Sequence, residues 1–165
     1  MKPDDALPIA QPVRGPRGTP QQYTRHVRTA LLGIGLVLAG VFAAAAYIEP
    51  YDTDGTPRTM STHTQLGLAP CNFVMLAGKP CPACGMTTSF ALLVRGDVRN
   101  SLRANWVGTL TAIFWAGMLG WAVASGLRGR PLLVPPGKGD LVLTVLVGIF
   151  LALMLGRWAA LWFAG

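Results

Sequence analysis

All three cysteines of this 165-residue chain fall within fourteen residues, in the string Cys71-Asn-Phe-Val-Met-Leu-Ala-Gly-Lys-Pro-Cys81-Pro-Ala-Cys84-Gly-Met-Thr-Thr-Ser. Thiols so clustered support three chemistries. In an oxidising compartment two of them form a disulfide that staples the loop, leaving the third free or paired with another chain. Cys71 joined to Cys81 or Cys84 closes a loop of ordinary size, whereas Cys81 joined to Cys84 is a tight and more reducible bridge. Alternatively, the Cys-x-x-Cys pair and the third cysteine supply three thiolates of a tetrahedral zinc site, with His63, eight residues before Cys71, as a candidate fourth ligand. The last option is redox catalysis. Cys81-Pro82-Ala83-Cys84 just ahead of a helix is the local pattern of thiol-disulfide oxidoreductases, in which the helix dipole acidifies one thiol. No thioredoxin-like alternation of strand and helix surrounds it, and three cysteines leave no second dithiol to relay electrons.

The residues around the cysteines specify local structure. Pro80 and Pro82 fix the backbone about Cys81, and Gly78 and Gly85 permit tight turns on either side. From Met86 to Arg95 the pattern reads as a short interfacial amphipathic helix with Phe90, Leu93 and Val94 on its apolar side and Thr87 or Thr88 as a cap. Cys84 then sits at the helix N-terminus, where peptide N–H groups favour a thiolate. Arg95, Arg99 and Arg103 are spaced by four, share one side if helical, and are expected to contact phospholipid headgroups or another anion. Asp97 and Asn105 are candidate caps. The loop contains no paired carboxylates, Ser/His/Asp arrangement or phosphate-binding glycine loop.

What carries this loop is not a soluble domain. The chain is 52% hydrophobic and only 13% charged. A bilayer core about 30 Å thick needs roughly 20 mainly apolar helical residues to span it. Three runs qualify: residues 29–48, closed by Glu49-Pro50; residues 106–127, bounded by Arg103, Arg128 and Arg130; and residues 141–164, interrupted by Arg157. The expected fold is all-α and integral to a membrane. It comprises three transmembrane helices, a cysteine-containing loop over residues 49–105 and a short turn over residues 128–140. Residues 1–28, with five prolines among polar and charged residues, form a disordered basic tail. The tail is long for a cleaved secretory signal, and the apolar run after it is long enough to span.

The 14 Lys and Arg residues behind the net charge of +7 mostly flank the apolar runs and act as topology signals; no nucleic-acid motif accompanies them. The tail carries Lys2, Arg14, Arg17, Arg25 and Arg28, and the turn carries Arg128, Arg130 and Lys138, so both are expected to be cytoplasmic. The cysteine loop and the C-terminus then lie on the opposite side, with Arg157, Trp158 and Trp162 at the far interface.

Small residues recur every four positions in two spans: Gly108, Ala112, Ala116, Gly120 and Ala124 in the second, Gly148, Ala152, Gly156, Ala160 and Ala164 in the third. Close backbone approach along such stripes is a main source of helix association in lipid, so the second and third spans are expected to form a tight hairpin, or to use the same faces for homodimerisation. The first span offers a weaker version in Gly35, Ala39 and Ala43.

The string Cys71…Gly78-Lys-Pro-Cys81-Pro-Ala-Cys84-Gly-Met-Thr87, followed by Leu92, Arg95-Gly96-Asp97, Leu102, Arg103, Ala104 and Asn105, resembles the bacterial membrane family catalogued as domain of unknown function 2752. That family's signature is a cysteine, a spacer, Cys-Pro-x-Cys-Gly-x-Thr-Arg, an Arg-Gly-Asp-like turn, and an Asn before an apolar helix. Here Thr88 stands where the family usually has Arg. The resemblance spans about Pro70 to Trp106. It implies a multi-pass protein of the bacterial cytoplasmic membrane and supplies no activity. The role these residues favour is a non-enzymatic structural or accessory membrane component, without a cofactor unless zinc, whose loop meets lipid or a membrane-protein partner; the rival is a membrane thiol-disulfide oxidoreductase.

Overall fold

The computed structural model describes residues 22–130 and 139–164. Among them there is no strand, and the order of elements is α1 (Arg25–Tyr47), a 3-10 turn (Thr62–Leu66), α2 (Asn72–Ala77), α3 (Met86–Val94), α4 (Val98–Arg128) and α5 (Gly139–Ala164). Three of these, α1, α4 and α5, are long and apolar enough to cross a membrane, which makes the chain a multi-pass membrane protein. The expected tail and turn fall mostly at residues 1–21 and 131–138, outside the described residues. Helix α1 begins earlier than the uncharged run that predicted it. Thr24 caps it through Val27 N–H, and the Tyr23 N–H donates to the Gly129 carbonyl, so the end of the tail is tied to the end of α4.

Helix α1 packs along α4. Leu31, Gly35, Leu38 and Ala45 form its buried stripe. The contact is close because glycines sit on both partners. A Cβ on Gly35 would lie 2.9 Å from Val123, and one on Gly126 would lie 3.0 Å from Leu32. The expected tight pairing of the second and third spans is therefore replaced by pairing of the first and second. Ala112 is fully buried, in a cluster with Ala45 and Phe90, but Ala116, Gly120, Gly148, Ala152 and Gly156 are exposed in the single chain. Helix α5 meets α4 over a short stretch only.

Helix α3, the short helix expected between the first two spans, is wedged between α1 and α4 with Thr88, Ser89, Phe90, Ala91 and Leu92 all buried. Phe90 stacks on Phe42 of α1 at 6.0 Å and meets Trp115 of α4 edge-on at 5.7 Å. No side chain caps its start. Gly85 does so in a left-handed conformation (φ 81°), where a Cβ would also strike the carbonyl oxygens of Ala104 and Thr59 at 2.6 and 2.7 Å. Where the family has Arg, Thr88 is buried with its hydroxyl 3.0 Å from that of Thr62, which joins the 3-10 turn to α3.

The three arginines expected on one face part company. Arg95 ends α3 and turns its guanidinium onto the Ala45 and Ala46 carbonyls at the end of α1, 3.6 Å from Glu49. It satisfies carbonyls that a helix end leaves without partners. Arg99 and Arg103 are exposed on α4. Asp97 is the α4 cap, accepting from Asn100 N–H at 3.2 Å, from the Asn100 amide at 2.8 Å and from the Tyr51 hydroxyl at 3.0 Å. Those Asn100 bonds hold its carboxyl below the usual carboxylate range.

Candidate metal centre

Two short segments bring the sulfurs together. Helix α2 starts at Cys71, runs one and a half turns and stops at Gly78, whereupon Lys79-Pro80 returns the chain to Cys81. Cys81 to Cys84 then makes a single turn, closed by the Cys84 N–H donating to the Cys81 carbonyl at 3.1 Å, before Gly85 admits α3. The Cys84 Sγ ends 3.1 Å from that of Cys81 and 3.7 Å from that of Cys71, and all three lie within 4.8 Å of one another. These separations exceed the about 2.05 Å of a disulfide, so no disulfide joins any two of the three. His63, the proposed fourth ligand, is not in the cluster; its Nε2 lies 3.2 Å from the Ala69 carbonyl.

The thiols differ. The Val74 N–H, at the start of α2, holds Cys71 below the ordinary thiol range. Cys84 was expected to be the acidified one, but burial pushes it up to about 12 despite the Cys81 N–H donating to its sulfur at 3.1 Å. Its place just before α3 does not help, because Gly85 intervenes and the sulfur is drawn toward Cys81 and Cys71 rather than to the peptide groups of the helix.

Asn105 builds the floor of the site. It is fully buried and non-helical (φ −160°, ψ 101°), so it breaks α4 into a short helix and the membrane span proper. Its Oδ1 accepts the Gly108 N–H at 3.1 Å, which caps the span, while its Nδ2 donates to the Cys84 carbonyl at 3.1 Å. One side chain thus ties the cysteine turn to the start of the span. Ser101 extends the buried network, bonding the Ser89 carbonyl at 2.8 Å and the Thr109 hydroxyl at 2.7 Å. Because Asn105 takes the Gly108 N–H, the Ala104 carbonyl loses the partner a continuous helix would give it. Arg157 of α5 supplies the replacement at 3.0 Å.

The rest of the α5 end grips the same loop. Trp158 Nε1 donates to the Pro80 carbonyl at 3.1 Å, Lys79 Nζ donates to the Trp162 carbonyl at 2.9 Å and lies 4.8 Å from the Trp162 ring centre, and Phe73 meets both tryptophans edge-on. These residues had the composition of a lipid interface, yet they contact the cysteine loop. They also place the end of α5 and the cysteine loop at the same end of the molecule, with Tyr23 and Gly129 paired at the other.

Residues 71–119 match DUF2752, a family described as protein of unknown function. The DUF2752 segment opens on Cys71, contains Cys81, Cys84 and Asn105, and ends inside the second span; Arg157, Trp158 and Trp162 lie beyond it. No curated protein and no solved structure matches the chain.

Sequence reasoning found the three cysteines and treated Asn105 as a possible cap. It missed Arg157 and the two tryptophans as parts of the site. The available signal was the coincidence of one charge and two indoles within six residues of an otherwise apolar span.

Proposed function

We propose that the chain is a structural or accessory component of the membrane whose extramembrane loop is held closed by one divalent metal ion of the zinc class, bound by Cys71, Cys81 and Cys84. The observation that carries this reading is the convergence of the three sulfurs from two separate segments. A d¹⁰ ion favours thiolates in tetrahedral arrangement, and binding there would draw together a loop with little apolar core of its own. The half-buried thiols and short α2 suit a structural centre better than a nucleophile, because burial pushes the Cys84 thiol up instead of acidifying it. By the distribution of Lys and Arg, the tail and the α4–α5 turn are cytoplasmic and the loop is extracytoplasmic, so the bound metal is what holds the three thiols against the disulfide that an oxidising compartment favours.

A second reading, a thiol-disulfide oxidoreductase, is favoured by one observation, the 3.1 Å approach of Cys81 and Cys84. Elemental analysis and thiol trapping of the full chain, purified in lipid nanodiscs without added chelator, separate the two. The metal reading expects one zinc per chain, lost in Cys71→Ser, Cys81→Ser and Cys84→Ser alike. A metal-free protein whose Cys81 and Cys84 interconvert between dithiol and disulfide, indifferent to Cys71→Ser, would establish the oxidoreductase. Orientation is read separately with a membrane-impermeant thiol reagent on intact cells after metal removal, which labels the loop only if it faces outward.

A further inference from the structure

Three thiolates around a divalent ion leave one net negative charge, half-buried beside a membrane, and such a charge needs a partner. The surroundings offer Arg157. Its Nη2 is fixed on the Ala104 carbonyl, next to the Asn105 that holds Cys84, and its neighbour Trp158 is fixed on the Pro80 carbonyl, next to Cys81. The Arg157 Nη1 is buried and has no hydrogen-bond partner, an arrangement that costs free energy unless an acceptor completes it. Lys79, the other cation close by, is committed to the carbonyl and ring of Trp162.

None of the span residues of α5 is buried in the described chain, and its contacts with the loop fall on Phe73, Lys79, Pro80 and Ala104, each within a few residues of a cysteine or of Asn105. We infer that Arg157 is the counter-charge of the trithiolate metal centre, so that metal binding by the loop and docking of the third transmembrane helix stabilise one another. This inference rests on the metal reading above and makes Arg157 a positioning residue, not a ligand. Loading the metal converts three neutral thiols into a centre of charge −1, which attracts the guanidinium; undocking α5 leaves that charge uncompensated and weakens the site by the same factor, because coupling between two equilibria is reciprocal.

The experiment is a zinc titration of the full chain in nanodiscs against a chromophoric chelator, with ¹⁹F-tryptophan spectra recorded with and without zinc. Arg157→Met is expected to weaken zinc binding about tenfold or more, the range typical of residues that support metal ligands, while Arg157→Lys retains most of the affinity. The Trp158 and Trp162 resonances, assigned by Trp→Phe variants, are expected to shift on zinc removal in the wild type and much less in Arg157→Met. The Trp115 resonance, in the α1–α3–α4 core, stays unchanged throughout and reports that each variant is folded. Wild-type affinity in Arg157→Met, or α5 tryptophans that ignore zinc while zinc still binds, would overturn the coupling and leave the metal reading standing. Absence of zinc binding by the wild type would instead overturn the metal reading, and the coupling with it.

Discussion

Helices α1 and α5 both cross the membrane beside α4, yet they are held in opposite ways. Helix α1 buries residues along most of its length, with glycines at both faces of the contact, and its far end is capped by Arg95. Helix α5 buries none of its span residues and is held at one end, where its own Arg157, Trp158 and Trp162 meet Ala104 and the cysteine loop's Pro80 and Lys79. In lipid, apolar side chains gain little by leaving the bilayer for one another, so association depends on close packing or on polar contacts. The first pairing uses packing and is independent of the loop's chemistry. The second uses polar and aromatic contacts and inherits whatever stability the loop has.

The comparison breaks if the loop and the α1–α4 core unfold separately. Asn105 joins them, and Asn105→Ala removes the cap of the second span and leaves the Cys84 carbonyl without its donor. We expect a loss of about 2–3 kcal/mol in mixed-micelle unfolding, together with faster thiol labelling; labelling that changes without any loss of stability would detach the loop from the core. Next in size is the glycine contact. Gly35→Leu must push Val123 aside and is expected to cost about 1–3 kcal/mol, whereas Gly148→Leu on the exposed face of α5 changes stability by less than about 0.5 kcal/mol. Equal effects at the two glycines would show that the α5 stripe is also a packed interface, as a second copy of the chain would make it.

Trp158→Phe keeps the ring against Phe73 and loses only the bond to the Pro80 carbonyl, worth about 1 kcal/mol. Its effect belongs to the docking of α5 and is expected in protease or hydrogen-exchange protection of α5, with α1 unchanged. The smallest effect is at Asp97. Because hydrogen bonds from Asn100 depress its folded pKa, its contribution is present above the ordinary carboxylate value of about 3.9 and fades as pH falls through the depressed one. The stability difference between wild type and Asp97→Ala is therefore expected to be flat at neutral pH and to shrink in acid; a difference that grows in acid would contradict the assignment.

The spans and the clustering of the cysteines were legible in the residues alone, since uncharged runs of membrane length and three close thiols depend on no tertiary context. Residue 106, where the uncharged run begins, follows the non-helical Asn105 that breaks α4. What the residues alone did not give was which helices and side chains become neighbours. Small residues at four-residue intervals mark a face capable of close approach and do not say which helix uses it; Gly35 meets Val123 of α4, while Gly108 and Ala112 of the second stripe pack against α3 and α1 rather than α5. Arg95, Arg99 and Arg103 have helical spacing, but Gly96 and Asp97 end one helix and start another between them, which sends Arg95 to the end of α1. His63 was near the cysteines in sequence and is bonded to Ala69 instead. Arg157 lies 73 positions after Cys84 in the sequence, and only the break at Asn105 explains why a carbonyl waits there to receive it.

The most direct test of the central claim, that the three cysteines hold one metal ion, is X-ray absorption at the zinc edge on the purified full chain. The account predicts one zinc per chain with three sulfur neighbours at about 2.3 Å and one lighter ligand. A protein with no bound metal and a Cys81–Cys84 or Cys71–Cys84 disulfide would contradict it.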